Sequence, residues 1–329
     1  MKVLSLFDGI SCGQIAFNRA DIDIEVYYAS EIDKDAISVT KHNFPDTVFL
    51  GDVRNIKNFP KVDIVIGGSP CTNFSFAGKN QGMITKNKIK ITSLDEYLSY
   101  KAEGYEFEGQ SYLFWEFVRI LNLIKPKYFL LENVVMKKEW EKIITDTLNV
   151  KPIQINSSLV SAQTRNRLYW ANFPITQPKD KLIKLSDVLE NIEMENPAAI
   201  RGRKLNKGTI VGRRLNSAGH REDYNKNIPL TQCLEVRKTN TDKSNCLTTV
   251  EKDNVLTYLP FGRHPDAFGK LSGKPLPFRY YTRLEYERLQ TLPEGYTSCI
   301  SESKAKKVIG NGWTVDVITH ILRCLKETM

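Results

Sequence analysis

The first 175 residues alternate short apolar runs with longer segments of helical periodicity. The runs around 3–6, 62–66 and 128–131 are nearly continuous in apolar residues, as expected for strands covered on both faces. This alternation predicts an α/β fold, with a doubly wound, mostly parallel sheet between two helical layers. The predicted strands are 2–7, 25–29, 47–50, 62–66, 127–131, 153–156 and 167–171, and the predicted helices are 12–20, 33–43, 111–124 and 137–148.

The pattern changes from about residue 177 to 278, where periodicity fades and Gly, Asn, Thr, Lys and Pro increase. Helical patterns return at 282–291 and 313–325. We therefore expect a catalytic domain built from 1–176 and 279–329, and a smaller, loop-rich β domain at 177–278. Residues 79–109 form a polar, lysine-rich connection, and a connection of this length is usually functional or disordered.

The formal net charge of +9 favours a polyanionic partner. One stretch concentrates this charge, because it has seven basic side chains and no acidic one between Arg201 and Arg221. We expect this basic strip to neutralise phosphates, with a solvated surface as the alternative. The basic strip consists of Arg201, Arg203, Lys204, Lys207, Arg213, Arg214 and Arg221.

The cysteines and histidines argue against a metal site, because six Cys and four His are dispersed without a C-x-x-C pair. A chain of this size needs no disulfide framework, so its thiols remain available as nucleophiles. No apolar run reaches the roughly 18 residues that span a bilayer, and the apolar start is too short for a signal peptide. We expect a cytoplasmic protein.

The ends of the first three predicted strands carry residues typical of an adenosine site. Strand 2–7 runs into a turn containing Gly9 and Gly13, which let the backbone approach a ligand closely. Glu31 and Asp52 follow the next two strands, where acids hold ribose hydroxyls and an adenine amino group. Either acid could instead be a helix cap or a turn residue. The glycine spacing is not G-x-G-x-x-G, which disfavours an NAD-dependent oxidoreductase.

Three further segments place reactive side chains at strand ends. Cys71 follows Pro70 at the end of strand 62–66, and Glu132 follows strand 127–131. Arg165 and Arg167 lie on the same side of an extended segment. For a lone cysteine the simplest interpretation is a small buried apolar residue, but the surrounding motifs favour a nucleophile.

The order of these motifs resembles the DNA cytosine-5 methyltransferases over residues 1–175 and 280–329. Each motif alone is weak or moderate in specificity, whereas together and in this order they are highly specific. The motifs are Phe-Asp-Gly-x-x-x-Gly at 7–13, Gly-x-Pro-Cys at 68–71, Glu-Asn-Val at 132–134, Gln-x-Arg-x-Arg at 163–167, Arg-Leu-x-x-Glu-Arg-Leu-Gln at 283–290 and Gly-Asn-Gly-Trp at 310–313.

 The matching positions of the motif at 283–290 are Arg283, Leu284, Glu287, Arg288, Leu289 and Gln290.

The resemblance implies methyl transfer from S-adenosyl-L-methionine to carbon 5 of cytosine, leaving S-adenosyl-L-homocysteine, without a metal. In this family a cysteine thiolate adds to carbon 6 of the ring, a role that falls to Cys71. Glu132 would protonate or hydrogen-bond N3 and the amino group, while Arg167, and secondarily Arg165, would bind O2 and orient the glutamate. The target base must leave the duplex to reach the thiol.

The resemblance also assigns cofactor contacts to three strand ends and to the C-terminal segment. Trp313 departs from many relatives, which have a small or aliphatic residue there, and we expect its ring to pack on the adenine. The loop at 79–109 is longer than in the most compact bacterial relatives, and we expect it either to close over the DNA or to form a surface insert. The implied cofactor residues are Phe7, Gly9, Ile10, Ser11, Gly13, Glu31, Ile32, Asp52, Val53, Pro70, Leu113, Asn311 and Trp313.

Double-stranded DNA is the expected partner, bound by a monomer whose 177–278 segment selects the target sequence. Two alternatives stay open, namely an RNA cytosine-5 methyltransferase and a sequence-specific DNA-binding protein without catalysis. The long, basic 177–278 segment favours duplex DNA over RNA. The presence of Cys71, Glu132 and Arg167 favours an active enzyme over the inactive alternative.

Overall fold

A computed structural model describes residues 1–57, 59, 61–71, 73–74, 82–191, 205–238 and 242–329. Seven strands form the main sheet, in the order β3-β2-β1-β4-β5-β7-β6. The first five of these in sheet order are parallel, and β7 runs antiparallel to both of its neighbours. The strands are β1 (Lys2–Leu6), β2 (Val26–Ser30), β3 (Val48–Phe49), β4 (Ile64–Gly68), β5 (Tyr128–Val134), β6 (Ile153–Asn156) and β7 (Asn166–Ala171).

Helices cover both faces of the main sheet, as the sequence predicted. Successive residues of β1 point to opposite faces, so that Val3 packs in one core and Leu4 in the other. The fully buried side chains on both faces explain why β1, β4 and β5 are nearly continuous apolar runs. The helices are α1 (Cys12–Arg19), α2 (Lys34–Asn43), α3 (Leu94–Ala102), α4 (Phe114–Ile124), α5 (Lys138–Leu148), α6 (Arg283–Leu289), α7 (Glu302–Asn311) and α8 (Val315–Lys326).

A second, antiparallel sheet has the strand order β11-β9-β8-β10-β12. One of its faces covers a small core that includes Ile210, Leu234 and Val255. The predicted smaller β domain is therefore confirmed, while its exact boundaries at 177 and 278 stay a prediction. The strands are β8 (Asn206–Arg213), β9 (Thr231–Val236), β10 (Val255–Thr257), β11 (Gly262–His264) and β12 (Phe278–Tyr280).

Helix α3 lies inside the 79–109 segment, which the sequence predicted to be a polar connection. Ser93 caps the helix by accepting a hydrogen bond from the backbone N–H of Glu96 at 3.2 Å. Tyr97 is its one fully buried side chain, and its hydroxyl donates to Glu116 of α4 at 2.5 Å. A single buried residue produces almost no helical periodicity, which explains the wrong prediction for 94–102. Residues 79–81 of the segment lie outside the described residues.

Helix α7 was also not predicted, and the predicted helix at 313–325 begins two residues later, at Val315. The buried face of α7 includes Lys306 and Gly310 besides Ala305, Val308 and Ile309, so its apolar pattern is interrupted. Within the described ranges, no helix combines the length and apolar character needed to cross a membrane.

Candidate active site

The carboxyl ends of β4 and β5 bring together the turn that carries Cys71 and the carboxylate of Glu132. The two strands are parallel neighbours, and Gly68 is paired in register with Glu132. Asn133, directly after Glu132, donates from Nδ2 to the carbonyl oxygen of Ser69 at 3.2 Å and to its hydroxyl at 3.0 Å. Because Ser69 precedes Pro70 and Cys71, this buried side chain ties the cysteine turn to β5.

Glu132 is buried, and one of its carboxylate oxygens forms an ion pair while the other accepts a hydrogen bond. Nε of Arg167 lies 2.9 Å from Oε1, and Nε1 of Trp313 lies 3.1 Å from Oε2. Arg167 reaches this position because β7 pairs with β5, which places Arg167 opposite Val134. Two donors hold the carboxylate in one orientation at the strand edge.

The environment of Cys71 favours the thiol over the thiolate. Burial raises the pKa of the Cys71 thiol, and the nearby Glu132 carboxylate raises it further. The guanidinium groups of Arg167 and Arg165 oppose this rise. The resting site therefore does not hold a preformed thiolate. The thiol must lose its proton when the substrate enters, before it can attack.

Arg165 was predicted to make a secondary contact with the base, but the structure places it against the chain itself. Its guanidinium, which is nearly fully buried, donates to the carbonyl oxygens of Leu247 and Gly312 at 3.1 Å each and of Gly310 at 3.4 Å. These carbonyl groups come from segments far away in sequence, which explains why sequence reasoning missed them. We therefore revise its role to that of a positioning residue.

Gln163 begins the motif at 163–167, but the sequence assigned it no role. Its Nε2 donates to the carbonyl oxygen of Leu289 at 3.0 Å, and its Oε1 accepts from the backbone N–H of Leu247 at 2.8 Å. Gln163, Arg165 and Arg167 are alternate residues of one extended segment, and each fixes a different part of the site. The alternating polar positions next to an apolar strand were the available indication of this arrangement.

The first loop of the predicted cofactor site has the open geometry expected of a ligand cradle. Phe7, Gly9 and Ser11 all have a positive φ, of 58°, 61° and 56°. A Cβ atom on Gly9 would meet no atom within 4 Å, so there is space above the loop. The backbone N–H of Gly9 donates to Oε2 of Glu31 at 2.8 Å, which joins the ends of β1 and β2.

Glu31 lies at the end of β2, as predicted, and its Oε1 accepts from the backbone N–H groups of Ile32 and Asp33. The side chain of Ile32 is 62% exposed and could cover a bound ring. The remaining predicted contacts differ in exposure. Ile10, Gly13 and Val53 are buried, Pro70, Leu113 and Trp313 are partly buried, and Asn311 is exposed.

Asp52 makes a different contact from the one predicted. Both of its carboxylate oxygens bind the side chain of Arg54, Oδ1 at 3.0 Å from Nε and Oδ2 at 2.5 Å from Nη2, and Oδ1 also accepts the backbone N–H of Arg54 at 2.9 Å. Asp52 thus caps the 3-10 turn Val53–Asn55, which is the alternative that the sequence left open. An adenine amino group at this position would have to share the carboxylate with Arg54.

Asp8 is a second residue that sequence reasoning left without a role. Its Oδ1 accepts from the hydroxyl of Tyr27 at 2.7 Å, and its Oδ2 accepts from the hydroxyl of Ser11. Burial raises the pKa of Asp8 from 3.8 to about 6, although these hydrogen bonds oppose the rise. Asp8 therefore ties the first loop to Tyr27 of β2. Ionisation of its carboxyl group lowers the free energy of unfolding.

We expect Asp8→Asn to remove part of the pH dependence of stability. A raised carboxyl pKa contributes stability below the unfolded value of 3.8, and that contribution is lost as the pH rises through about 6. Between about pH 4.5 and about pH 8 the loss amounts to about 2 kcal/mol. Urea unfolding of the unliganded protein should show the variant losing less stability over this range. Asp146→Asn, on the exposed side of α5, is the control, and equal losses in wild type and Asp8→Asn would contradict this assignment.

Acidic side chains pair with part of the basic strip. Arg213 pairs with Glu235 at 2.8 Å and with Asp223 at 3.4 Å, and Arg221 also binds Asp223. These acids follow the strip or belong to β9, so a local count of charges could not include them. For the remaining members, Lys207 donates to the carbonyl oxygen of Lys243, the backbone N–H of Arg214 donates to Asp223, and Arg201, Arg203 and Lys204 lie outside the described residues.

Glu235 organises a different set of arginines on the second sheet. Besides Arg213, it accepts from Arg237 at 3.0 Å and from Arg263 at 3.2 Å, and its pKa is lowered to about 2, chiefly by the hydrogen bonds from Arg213. Arg237 remains 76% exposed in its side chain. We call Arg213, Arg237, Arg263 and Glu235 the arginine cluster, and it carries a net positive charge.

Within the residues that the structure describes, no group of three or more His, Cys, Asp or Glu side chains could hold a metal ion. The fold and the site together define a Rossmann-like α/β enzyme with a cysteine opposite a carboxylate–guanidinium pair. A family model described as C-5 cytosine-specific DNA methylase matches residues 1–94 and 98–327. The chain belongs to this family and is a DNA cytosine-5 methyltransferase.

Individual relatives agree with this membership. The chain is 28% identical over 346 residues to the type II methyltransferase M1.ScrFI of Lactococcus lactis subsp. cremoris, covering 100% of this chain and 78% of that protein. It is 27% identical over 256 residues to the orphan methyltransferase M.SPBetaI of Bacillus phage SPbeta, covering 72% of this chain and 56% of the phage protein. In the second case the match spans little more than half of the relative's length.

Solved structures share the fold at lower identity. A variant of DNMT2 from Spodoptera frugiperda is similar with a TM-score of 0.59 and 20% identity, covering 99% of both chains. The Entamoeba histolytica methyltransferase EhMeth is similar with a TM-score of 0.61 and 15% identity, covering 100% of this chain and 99% of that chain. At these identities the similarity establishes the fold alone.

Proposed function

We propose that this enzyme methylates carbon 5 of a flipped-out cytosine in a specific duplex DNA sequence, through a covalent bond to Cys71 and with S-adenosylmethionine as methyl donor. The observation that carries the proposal is the position of Cys71 beside the Glu132–Arg167 pair. A thiol near a carboxylate that is itself held by a guanidinium is the arrangement needed to activate an electron-poor ring.

Cys71 supplies the nucleophile. Its thiol loses a proton to solvent water, and the thiolate sulfur forms a bond to carbon 6 while the electron pair of the 5,6 double bond moves to carbon 5. After carbon 5 has received the methyl group, its hydrogen leaves as a proton to solvent water. The double bond then forms again, and the carbon–sulfur bond breaks to release the thiolate.

Glu132 and Arg167 stabilise the ring while it is bonded to sulfur. In its protonated form Glu132 donates to N3, so that negative charge does not accumulate in the ring. Arg167 forms an ion pair with Glu132, with Nε 2.9 Å from Oε1, and we expect Nη2, which lies 3.9 Å from the sulfur of Cys246, to turn to the O2 atom of the base. Nη1 of Arg167 also donates to the backbone carbonyl of Asn166, which fixes the plane of the guanidinium.

The first loop and the adjacent strand ends fit S-adenosylmethionine, whose positively charged sulfur carries the methyl group that carbon 5 receives. The open space above Gly9 leaves room for the methionine part, and Oε2 of Glu31, which among the described residues accepts from Gly9 alone, retains a lone pair for a ribose hydroxyl. Ile32 and Val53 would line the adenine. Asp52 would contribute to adenine binding only by sharing its carboxylate with Arg54.

The 177–278 segment is the proposed target-recognition domain, and we propose that the arginine cluster replaces the basic strip as its main phosphate contact. Glu235 holds three guanidinium groups in fixed positions. Arg237 and Arg263 each reach it through one nitrogen, and we expect their other N–H groups to bind phosphates. The names of the relatives support a role in sequence-specific modification, either as part of a type II system or as an orphan enzyme of bacterial or phage origin.

We expect the double variant Arg237→Gln and Arg263→Gln to weaken binding to all duplexes by a similar factor. Two lost phosphate contacts should reduce the slope of log K against log salt concentration by about two. Fluorescence anisotropy at several salt concentrations measures both quantities. The double variant Lys138→Gln and Lys142→Gln on α5 is the matched loss of two charges outside this domain, and it should leave the slope unchanged. An unchanged slope in the double variant would show that the arginine cluster is structural.

Bisulfite sequencing of plasmid DNA from cells that express the protein tests the proposed function. It should show methylated cytosines confined to one short sequence. Methylation of RNA without methylation of DNA would support the RNA alternative. Tight duplex binding without methylation of either would support the inactive DNA-binding alternative.

A further inference from the structure

The indole N–H of Trp313 donates to Glu132, the residue proposed to act on N3 of the base. We propose that Trp313 is a positioning residue for Glu132, and that it holds the carboxylate in the orientation that reaches the cytosine ring. This inference rests on the proposed function. It gives Trp313 a role in chemistry, which differs from the adenine contact expected from the sequence.

The geometry around Gly68 shows how closely the indole and the carboxylate are packed. A Cβ atom on Gly68 would lie 2.8 Å from Nε1 of Trp313 and 2.9 Å from Oε2 of Glu132. Such distances are too short for a side chain. Gly68 is the residue paired with Glu132 on the neighbouring strand, and a larger residue there would keep the indole from the carboxylate.

The backbone that carries Trp313 is held from two sides. Arg165 donates from Nη2 to the carbonyl oxygen of Gly312 at 3.1 Å, and Gln290 donates from Nε2 to the same oxygen at 3.0 Å. The hydroxyl of Thr314 donates to Oε1 of Gln290 at 2.8 Å. These contacts are buried, so the turn between α7 and α8 has little freedom to move.

A continuous set of hydrogen bonds thus runs from Arg165 through the Gly312 backbone to Trp313 and Glu132. Arg167 acts on one carboxylate oxygen directly, and Arg165 acts on the other through the turn that presents the indole. Each oxygen keeps a second lone pair, which leaves room for the base. The ion pair with Arg167 and the hydrogen bond from Trp313 restrict rotation of the carboxylate before DNA binds.

The variant Trp313→Phe tests this role, because it keeps an aromatic ring but removes the N–H donor. The single-turnover rate at saturating S-adenosylmethionine and DNA should fall on the order of 10- to 100-fold, as expected for a lost hydrogen bond to a charged group. The dissociation constant of S-adenosylhomocysteine, measured by calorimetry, should change less than threefold, on the order of the packing change alone.

A double-variant cycle with Glu132→Gln separates action through Glu132 from a general structural effect. If Trp313 acts through Glu132, Trp313→Phe should slow the Glu132→Gln enzyme far less than it slows the wild type. Trp115→Phe is the matched control, because the buried indole nitrogen of Trp115 has no hydrogen-bond partner among the residues that the structure describes. It should leave the single-turnover rate unchanged.

Two results would overturn the inference. One is a large loss of S-adenosylhomocysteine affinity with an unchanged rate at saturating cofactor, which would support adenine packing. The other is an equal effect of Trp313→Phe in the wild-type and Glu132→Gln backgrounds. If wild-type protein forms no adduct with DNA containing 5-fluorocytosine, the proposed function itself fails, and that outcome is distinct from both.

Discussion

Cys71→Ala is expected to lower methyl transfer to DNA by on the order of 10⁴-fold or more, because it removes the atom that adds to carbon 6. Without that addition carbon 5 is too weak a nucleophile to take the methyl group. Binding of DNA and of S-adenosylhomocysteine should persist, since the side chain is small and no described hydrogen bond involves its sulfur. Transfer of a tritiated methyl group under single-turnover conditions measures the loss.

Cys246 provides the most demanding control for this prediction. Its sulfur lies 3.3 Å from Nη1 of Arg165 and 3.9 Å from Nη2 of Arg167, so it is the other thiol beside the arginines. Cys246→Ala should retain covalent chemistry, as should Cys233→Ala in the second sheet. Loss of methyl transfer in Cys246→Ala with full activity in Cys71→Ala would reverse the assignment of the nucleophile.

Glu132→Gln should slow the single-turnover rate by about 10²- to 10⁴-fold, the range typical of losing a general acid. The amide has nearly the same shape, but it cannot pass a proton to N3. It also weakens the charge-assisted bond from Arg167, which removes a constraint on the guanidinium. Quenched-flow measurement of methyl transfer at saturating DNA and cofactor gives this rate directly.

The matched control is Glu139→Gln, an exposed glutamate of α5 that pairs with Lys90. It removes the same charge without touching the site and should leave the rate unchanged. A Glu132→Gln enzyme as fast as wild type would mean that N3 obtains its proton from another group. Thermal unfolding of both variants would establish that each is folded.

Much of the main sheet could be predicted from sequence because its central strands are buried on both faces. In β1, β4 and β5 that burial produces apolar runs that are visible without a structure. Helix α3 escaped prediction because it buries only Tyr97, and α7 escaped because its buried face includes Lys306 and Gly310 and is not purely apolar. Hydrophobic periodicity reports burial, so an exposed helix has little of it.

In the candidate site, too, local features could be predicted from the sequence and contacts between distant segments could not. The motif order placed Cys71 and Glu132 at the ends of neighbouring strands, a local property of the chain. The partners of Arg165, by contrast, are carbonyl groups of Leu247, Gly310 and Gly312, which carry no residue-type preference in the sequence. Contacts to the backbone of distant segments become visible only when the fold brings those segments together.

The charges show the same limitation in a different form. A count along the chain described 201–221 as purely basic, but Asp223 lies directly beyond that stretch and Glu235 is brought to it by the pairing of β8 with β9. Sheet pairing therefore decides which arginines are neutralised. Arg237, which lies outside the basic strip, keeps an exposed side chain even though it pairs with Glu235.

The most direct measurement of the central claim uses duplex DNA in which the target cytosine carries fluorine at carbon 5. Addition of the thiolate and methyl transfer remain possible on this base, but fluorine cannot leave as a proton does, so the enzyme stays attached. With S-adenosylmethionine present, a protein–DNA adduct should survive denaturing electrophoresis, and mass spectrometry should locate the bond at Cys71. An adduct at another cysteine, or none on DNA that the enzyme methylates in its normal form, would contradict the account.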